Sequence, residues 1–320
     1  MNANLLRTSL YICGLVAAAW PAWAGPLQRA DVSADPTWAV HVDCDSLRPT
    51  AIGQYLLAEM AKPEAQAKLN AFQAMCGFDL RNQLHGLTLY STGKVPKDGV
   101  LLVYGDFEPD RLIAMVKGAQ DYQATPYKQH TIHNWIDDKK KDVNGVKPRV
   151  FAAAQGMHIL VISQQEPCVA KALDVLDRAA PSLAGSSVFP QLGTNSGSSV
   201  IQAAARKLDI FDTTPSAAVF RLAKSAELQV VEAQGQVKAT LNLETTDPDV
   251  AQQVAMVGQG LVALMKLQQS NPIALKLAQA LALKQEGAGV VATAAIPSGE
   301  IIELMKADAT RKAQKKAEKE

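Results

Sequence analysis

Apolar and polar positions alternate from Thr37 to Cys44. Trp38, Val40, Val42 and Cys44 point one way and Ala39, His41 and Asp43 the other, which predicts a half-buried strand. From Thr50 to Met75 the period becomes helical, with Ile52, Leu56, Leu57 and Met60 on one face. Pro63 resets the chain into a second helix that Gly77 stops. Leu87 to Tyr90 and the continuous apolar run Val100 to Tyr104 read as strands, the second covered on both faces. Tyr127 to Ser163 reads as an antiparallel meander with turns at Asn144-Gly145 and Gln155-Gly156.

The second half uses the same grammar. Ser199 to Ala205 is expected to be a strand. A short irregular or helical part follows through Leu222, and Leu228 to Ala233 and Val237 to Leu243 flank a Gln234-Gly235 hairpin. A long helix follows Asp247-Pro248, with Val250, Val254, Val257, Leu261, Leu264 and Met265 at helical spacing. Another is expected from Asn271-Pro272 through Leu281, then a strand from Gly289 to Ala295 and a closing helix through Met305.

Acid-proline pairs open helices at Glu108-Pro109, Glu166-Pro167 and Asp247-Pro248. The acid faces the positive end of the helix dipole, and proline at the first helical position gives up no hydrogen bond. Ala154-Gln155-Gly156 and Ala233-Gln234-Gly235 each precede a strand and one of these helix starts, which suggests an internal duplication. The fold class expected is α+β: two tandem antiparallel-sheet and helix sandwich halves, ferredoxin-like in spirit. The halves are assigned to residues 25–184 and 199–305. The Gly-, Ser- and Pro-rich residues 185–198 are read as a linker and residues 306–320 as a basic tail.

Met1 to Ala24 reads as a secretory signal. Arg7 supplies the positive start and Leu10 to Ala19 the apolar run. Pro21 breaks the helix, and Ala22-Trp23-Ala24 has the small-x-small pattern for cleavage after Ala24. The apolar run is half the length that spans a bilayer, and Val250 to Leu267 is interrupted by Gln252, Gln253, Gln259 and Lys266, so no membrane-spanning segment is expected after cleavage. The expected location is the periplasm or beyond. Loss of Cys13 with the leader leaves Cys44, Cys76 and Cys168. In an oxidising compartment these form either a Cys44–Cys76 disulfide plus a spare thiol or separate buried thiols.

Composition narrows the function. Hydrophobic residues make up 48% of the chain, and 32 basic side chains balance 31 acidic ones. That excludes a disordered chain and a basic nucleic-acid binder. Phe78-Asp79-Leu80 with Leu84, Gly86 to Tyr90, Gly105 to Asp110 with Leu112, and Ala172 to Asp177 with Pro181-Ser182-Leu183 together resemble uncharacterised secreted bacterial proteins of unknown function. The resemblance assigns no activity, cofactor or catalytic residue.

Motifs for chemistry are sparse. Ser91-Thr92-Gly93-Lys94 matches S-x-x-K without its companion elements, and it falls in a loop. Gly93-Lys94 lacks the rest of a phosphate-binding loop, and Gly258-Gln259-Gly260 sits inside a helix. His130 and His133 fall on opposite faces of a strand. Asp43-Cys44-Asp45, with His41 or Cys76, is the one place where several ligand types converge. Cys168 follows Pro167 at a helix start, where the dipole favours a thiolate. No catalytic, cofactor or metal residue is assigned. The tail carries Lys306, Arg311, Lys312, Lys315, Lys316 and Lys319 against Asp308, Glu318 and Glu320, which suits weak contact with an anionic surface.

The expectation is therefore an exported, non-enzymatic binding or protein-interaction module of the bacterial envelope, with an envelope protein or small ligand as its partner. The alternatives are a hydrolase centred near His41, Asp43 and Asp45, and a small-molecule or lipid carrier built on the helices from Val250 to Leu283.

Overall fold

The computed structural model describes residues 25–93, 96–138, 147–194, 199–206, 222–267 and 272–317. The leader, the Asn144-Gly145 turn, residues 195–198 of the expected linker and residues 207–221 lie outside the described residues. The first half runs β1 (Trp38–Asp43), α1 (Cys44–Leu47), α2 (Ala51–Met60), α3 (Pro63–Cys76), β2 (Leu84–Ser91), β3 (Gly99–Gly105), α4 (Pro109–Lys117), β4 (Gln123–Tyr127), β5 (His130–Ile136), β6 (Arg149–Gln155), β7 (Ile159–Ser163) and α5 (Glu166–Leu176). The second runs β8 (Ser199–Arg206), β9 (Ser225–Ala233), β10 (Gln236–Glu244), α6 (Pro248–Leu267), α7 (Pro272–Ala280), β11 (Leu281–Glu286), β12 (Gly289–Pro297) and α8 (Ser298–Ala317). The fold is α+β.

The two halves share one sheet. Its twelve strands run in the order β11-β12-β10-β9-β8-β1-β2-β3-β7-β6-β5-β4, and β1 pairs antiparallel with β8, Val40 opposite Ala203. The strand order outward from this seam is the same on both sides: β1-β2-β3-β7-β6 on one and β8-β9-β10-β12-β11 on the other, with β5 and β4 added beyond β6. The correspondence in topology is not the one expected. Topology matches β2-β3-α4 with β9-β10-α6, so Glu108-Pro109 corresponds to Asp247-Pro248. The two Ala-Gln-Gly motifs are not at equivalent positions. Ala233 pairs with Gln236 across a two-residue turn, whereas Gln155 pairs with Ile159 across three residues.

The core stays divided although the sheet does not. One cluster packs α5 residues Val169, Leu173 and Leu176 on Ala39, Tyr90, Leu102, Ile132 and Val161. A second packs α6 residues Ala251, Val254 and Ala255 on Leu243 and Val290. A third joins Cys76, Phe78 and Phe107 to Val103 and Leu160 under α3 and α4.

Several expectations are corrected. In β1 the more buried face carries Ala39, His41 and Asp43 rather than Trp38, Val40 and Val42, because the first group lies on the face that receives α5 and the Gly25–Leu27 segment. The described part of the linker, residues 185–194, is packed. Phe189 and Leu192 are buried, and the Arg29 guanidinium donates to the carbonyls of Leu183, Ser186, Val188, Phe189 and Leu192. Leu281 begins a strand and not the end of a helix. The closing helix runs past Met305, since α8 continues through the tail to Ala317. Of the two cysteine arrangements left open, the structure has Cys44, Cys76 and Cys168 as free thiols. Cys76 Sγ instead donates to Phe72 O at 3.0 Å, within the cluster of Phe78 and Phe107.

Candidate functional site

The sequence cluster His41, Asp43 and Asp45 is brought together where β1 meets α1. Asp43 ends the strand and caps the helix. One carboxylate oxygen accepts from Ser46 N at 2.8 Å and the other from Ser46 Oγ at 2.8 Å. These bonds satisfy a free N–H of the first turn. Asp43 is almost wholly buried.

His41 is buried and uses both ring nitrogens. Nδ1 lies 2.8 Å from Thr88 Oγ1, and Nε2 contacts Gly25 O. A carbonyl only accepts, so Nε2 carries the proton and Nδ1 accepts from the threonine hydroxyl. Burial pushes the imidazole pKa down and outweighs the Gly25 bond and the Asp43 charge, so the ring is held neutral.

Asp45 is the hub of a polar chain. It pairs with Arg48 at 2.7 Å and His85 Nδ1 at 3.0 Å, and it accepts from Gly25 N at 3.2 Å. Burial works to raise its pKa, but the bonds from Arg48, His85 and Gly25 prevail and hold the carboxyl below its ordinary value. His85 Nε2 reaches Asp106 at 3.2 Å, and Asp106 stands 3.4 Å from His158. The sequence reading missed Gly25, His85, Asp106 and His158. Nothing in their spacing announces the chain, because it is assembled from the segment before β1, α1, β2, the turn after β3 and the β6–β7 turn.

Beside this hub lies an open cleft of about 730 Å³. One wall is Pro26, Ser46, Pro49, Thr50 and Ala51, and the other is Val231 to Gly235 at the β9–β10 turn. Glu232 crosses it, accepting from Ala51 N at 3.0 Å and Ile52 N at 3.2 Å. A carboxylate there meets the positive end of α2. The cleft joins the two halves of the chain. Near residues 191–194 the space is far smaller, about 20 Å³.

The other sequence candidates fall elsewhere. Ser91 Oγ donates to Asp98 O and accepts from Gly93 N, so it braces its loop; Lys94 is outside the described residues. His130 bonds Asp177 at 2.8 Å and His133 bonds Tyr122 at 2.7 Å, on opposite faces of β5 as expected. Burial and then Asp98 push the Cys168 thiol above its ordinary value, and the helix start does not produce a thiolate. Burial likewise pushes Cys44 up to about 11. Among the described residues no group of three or more His, Cys, Asp or Glu side chains is placed to hold a metal ion.

No protein-family model matches the chain, and no curated protein matches it. The chain is similar in structure to crystal form III of TP0453, with a TM-score of 0.50 and 11% identity over 88% of this chain and 98% of that one. Crystal form I of TP0453 gives a TM-score of 0.46 and 10% identity over 87% and 96% of the two chains. At such identity the likeness to form III establishes a shared fold.

Proposed function

We propose that the chain is an exported, non-enzymatic binding or protein-interaction module, and that the cleft between α1–α2 and the β9–β10 turn receives its ligand. The observation that carries this reading is the state of the cleft's acids. Asp43, Asp45 and Glu232 are each engaged by backbone N–H groups or by neighbouring side chains. His41 beside them is spent on Thr88 and Gly25. General acid–base chemistry needs a group with a proton or lone pair directed at substrate, and this arrangement directs them at the chain itself. A concave site joining two halves suits binding.

Site-specific photocrosslinking tests it. A crosslinker at Gln234 is expected to capture one defined partner or ligand in the envelope, and the same group at Lys284, far from the cleft, is not. Turnover of peptide, ester or glycan substrates by the purified chain, abolished by Asp45→Asn, would overturn the reading in favour of the hydrolase.

A second reading, a carrier of apolar small molecules or lipid, is favoured by α6. Met256, Val257, Leu264 and Leu267 form one solvent-facing stripe, with Leu264 at 60% and Leu267 at 76% exposure. The helix is also long and apolar enough to cross a membrane by length and composition. Mass spectrometry of organic extracts of the purified chain decides it: a co-purified lipid lost in Leu264→Asp supports a carrier.

A further inference from the structure

Gly25 is buried, although it is the first residue after the expected cleavage position. Its N–H donates to Asp45 at 3.2 Å and its carbonyl accepts from His41. A methyl group at its α-carbon would fall 1.9 Å from Asp43 Oδ1 and 2.8 Å from His85 O, so a side chain here would force the Asp43 carboxylate and the β2 backbone to move. Gly86 closes the far side, its own missing methyl leaving room for Gly25 O. Pro26 follows, then Leu27 enters the main core at 4% exposure. Gly25 is therefore held by side chains of β1 and α1 and by the backbone of β2. Among the described residues, Arg48 is the one permanently charged base that pairs with the acids beside it, Asp43 and Asp45.

We propose that this site is a receptor for the free α-ammonium group of Gly25: cleavage after Ala24 creates the group, Asp45 binds it beside Asp43, and His41 fixes the adjoining carbonyl. The step is hydrolysis by an external endopeptidase. The Ala24–Gly25 amide bond breaks and one water is consumed. Its oxygen stays with Ala24 as carboxylate, and the protons complete an ammonium on Gly25. A single amide donor becomes a cation with three donors, facing carboxylates already in place. The amide's bond to the ionised Asp45 gives way to an ion pair, in which the donor is charged as well as the acceptor. Processing thus completes the polar hub that supports the cleft wall at Pro26 and Ser46. The precursor, with an amide at this position, has the looser hub.

This rests on the export reading, and the two fail separately. N-terminal sequencing of the exported chain is expected to begin at Gly25; a different start overturns the cleavage and the capture together. The capture is then tested on the mature chain beginning at Gly25 and on one retaining Ala22-Trp23-Ala24, each also as Asp45→Asn. Under limiting acylation at neutral pH, the Gly25 amine is expected to react about tenfold more slowly than the extended chain's, since one unit in amine pKa is tenfold in free amine. Asp45→Asn is expected to remove most of that difference. The Gly25 chain is also expected to melt about 2–4 °C higher than the extended one. Equal acylation rates for the two wild-type chains, with Gly25 confirmed as the start, would overturn the capture and leave export intact. That comparison stands even if Asp45→Asn does not fold.

Discussion

Glu232, on the last turn-facing stretch of β9, supplies the cap for Ala51, the first residue of α2, 181 positions earlier in the chain. Thr50 caps the same helix locally through Gly53 N at 3.0 Å. The helix start is thus satisfied once by its own residue and once by the other half. Glu232→Ala is expected to cost about 1 kcal/mol, the usual value of a lost cap. Glu232→Gln, which keeps an acceptor, is expected to cost less. Denaturant unfolding of the two variants checks the order, and equal costs would show that capping is not what Glu232 does.

Arg29 organises residues 183–192 through five backbone carbonyls. Lysine has a single nitrogen and no planar fork, so it cannot reproduce that set. Arg29→Ala is expected to cost about 2–4 kcal/mol, the range for carbonyls left without donors when a buried network is broken. Arg29→Lys is expected to recover little of it. Limited proteolysis offers an independent reading: cleavage between Ser186 and Gln191 is expected to accelerate in both variants.

His41 sets a pH dependence. Burial lowers its pKa from 6.5, so the folded chain binds fewer protons there than the unfolded chain. Its contribution is present above pH 6.5 and lost as pH falls below it. Asp45, held below its ordinary 3.8, contributes fully above that value and fades at lower pH, as the pH passes through the depressed value. Urea midpoints are therefore expected to decline from pH 6.5 to 5 in the wild type and to decline less steeply in His41→Gln, where His133, also held below 6.5 by burial, still contributes. An equally steep decline in both proteins would count against His41.

The thiols are expected to be inert in the folded chain. Cys44 is pushed up to about 11, Cys168 is raised, and Cys76 is fully buried. Alkylation at mildly alkaline pH, followed by mass spectrometry, is expected to label all three only after denaturation. Isolation of a Cys44–Cys76 bridged species would contradict the free thiols.

Local signals carried most of the element assignments. Pro63, Pro109, Pro167 and Pro248 all stand at helix starts, as their fixed φ and missing N–H require. The positive φ angles of Gln234 and Gly235 fit the hairpin read from the sequence. What failed was long range. Leu277 and Leu281 are spaced for a helix, yet Leu281 and Leu283 also alternate, and pairing of Leu283 with Ala292 on β12 decides for a strand. The polar residues 185–194 looked like a tether because their partner, Arg29, is more than 150 positions away. The acids of the hub were visible as Asp43-Cys44-Asp45. Their engagement was not, since His85, Asp106 and Gly25 arrive from separate elements.

The β1–β8 seam has a consequence for dividing the molecule. Each of these strands hides the hydrogen-bonding edge of the other. The outermost strands need no such cover: β4 carries Pro126 and β11 carries Lys284, residues that discourage a further strand from adding. A fragment ending before Ser199 would leave β1 with one bare margin bordered by the apolar side chains of Val40 and Val42, ready to adhere to a second copy. The two halves therefore act as mutual chaperones.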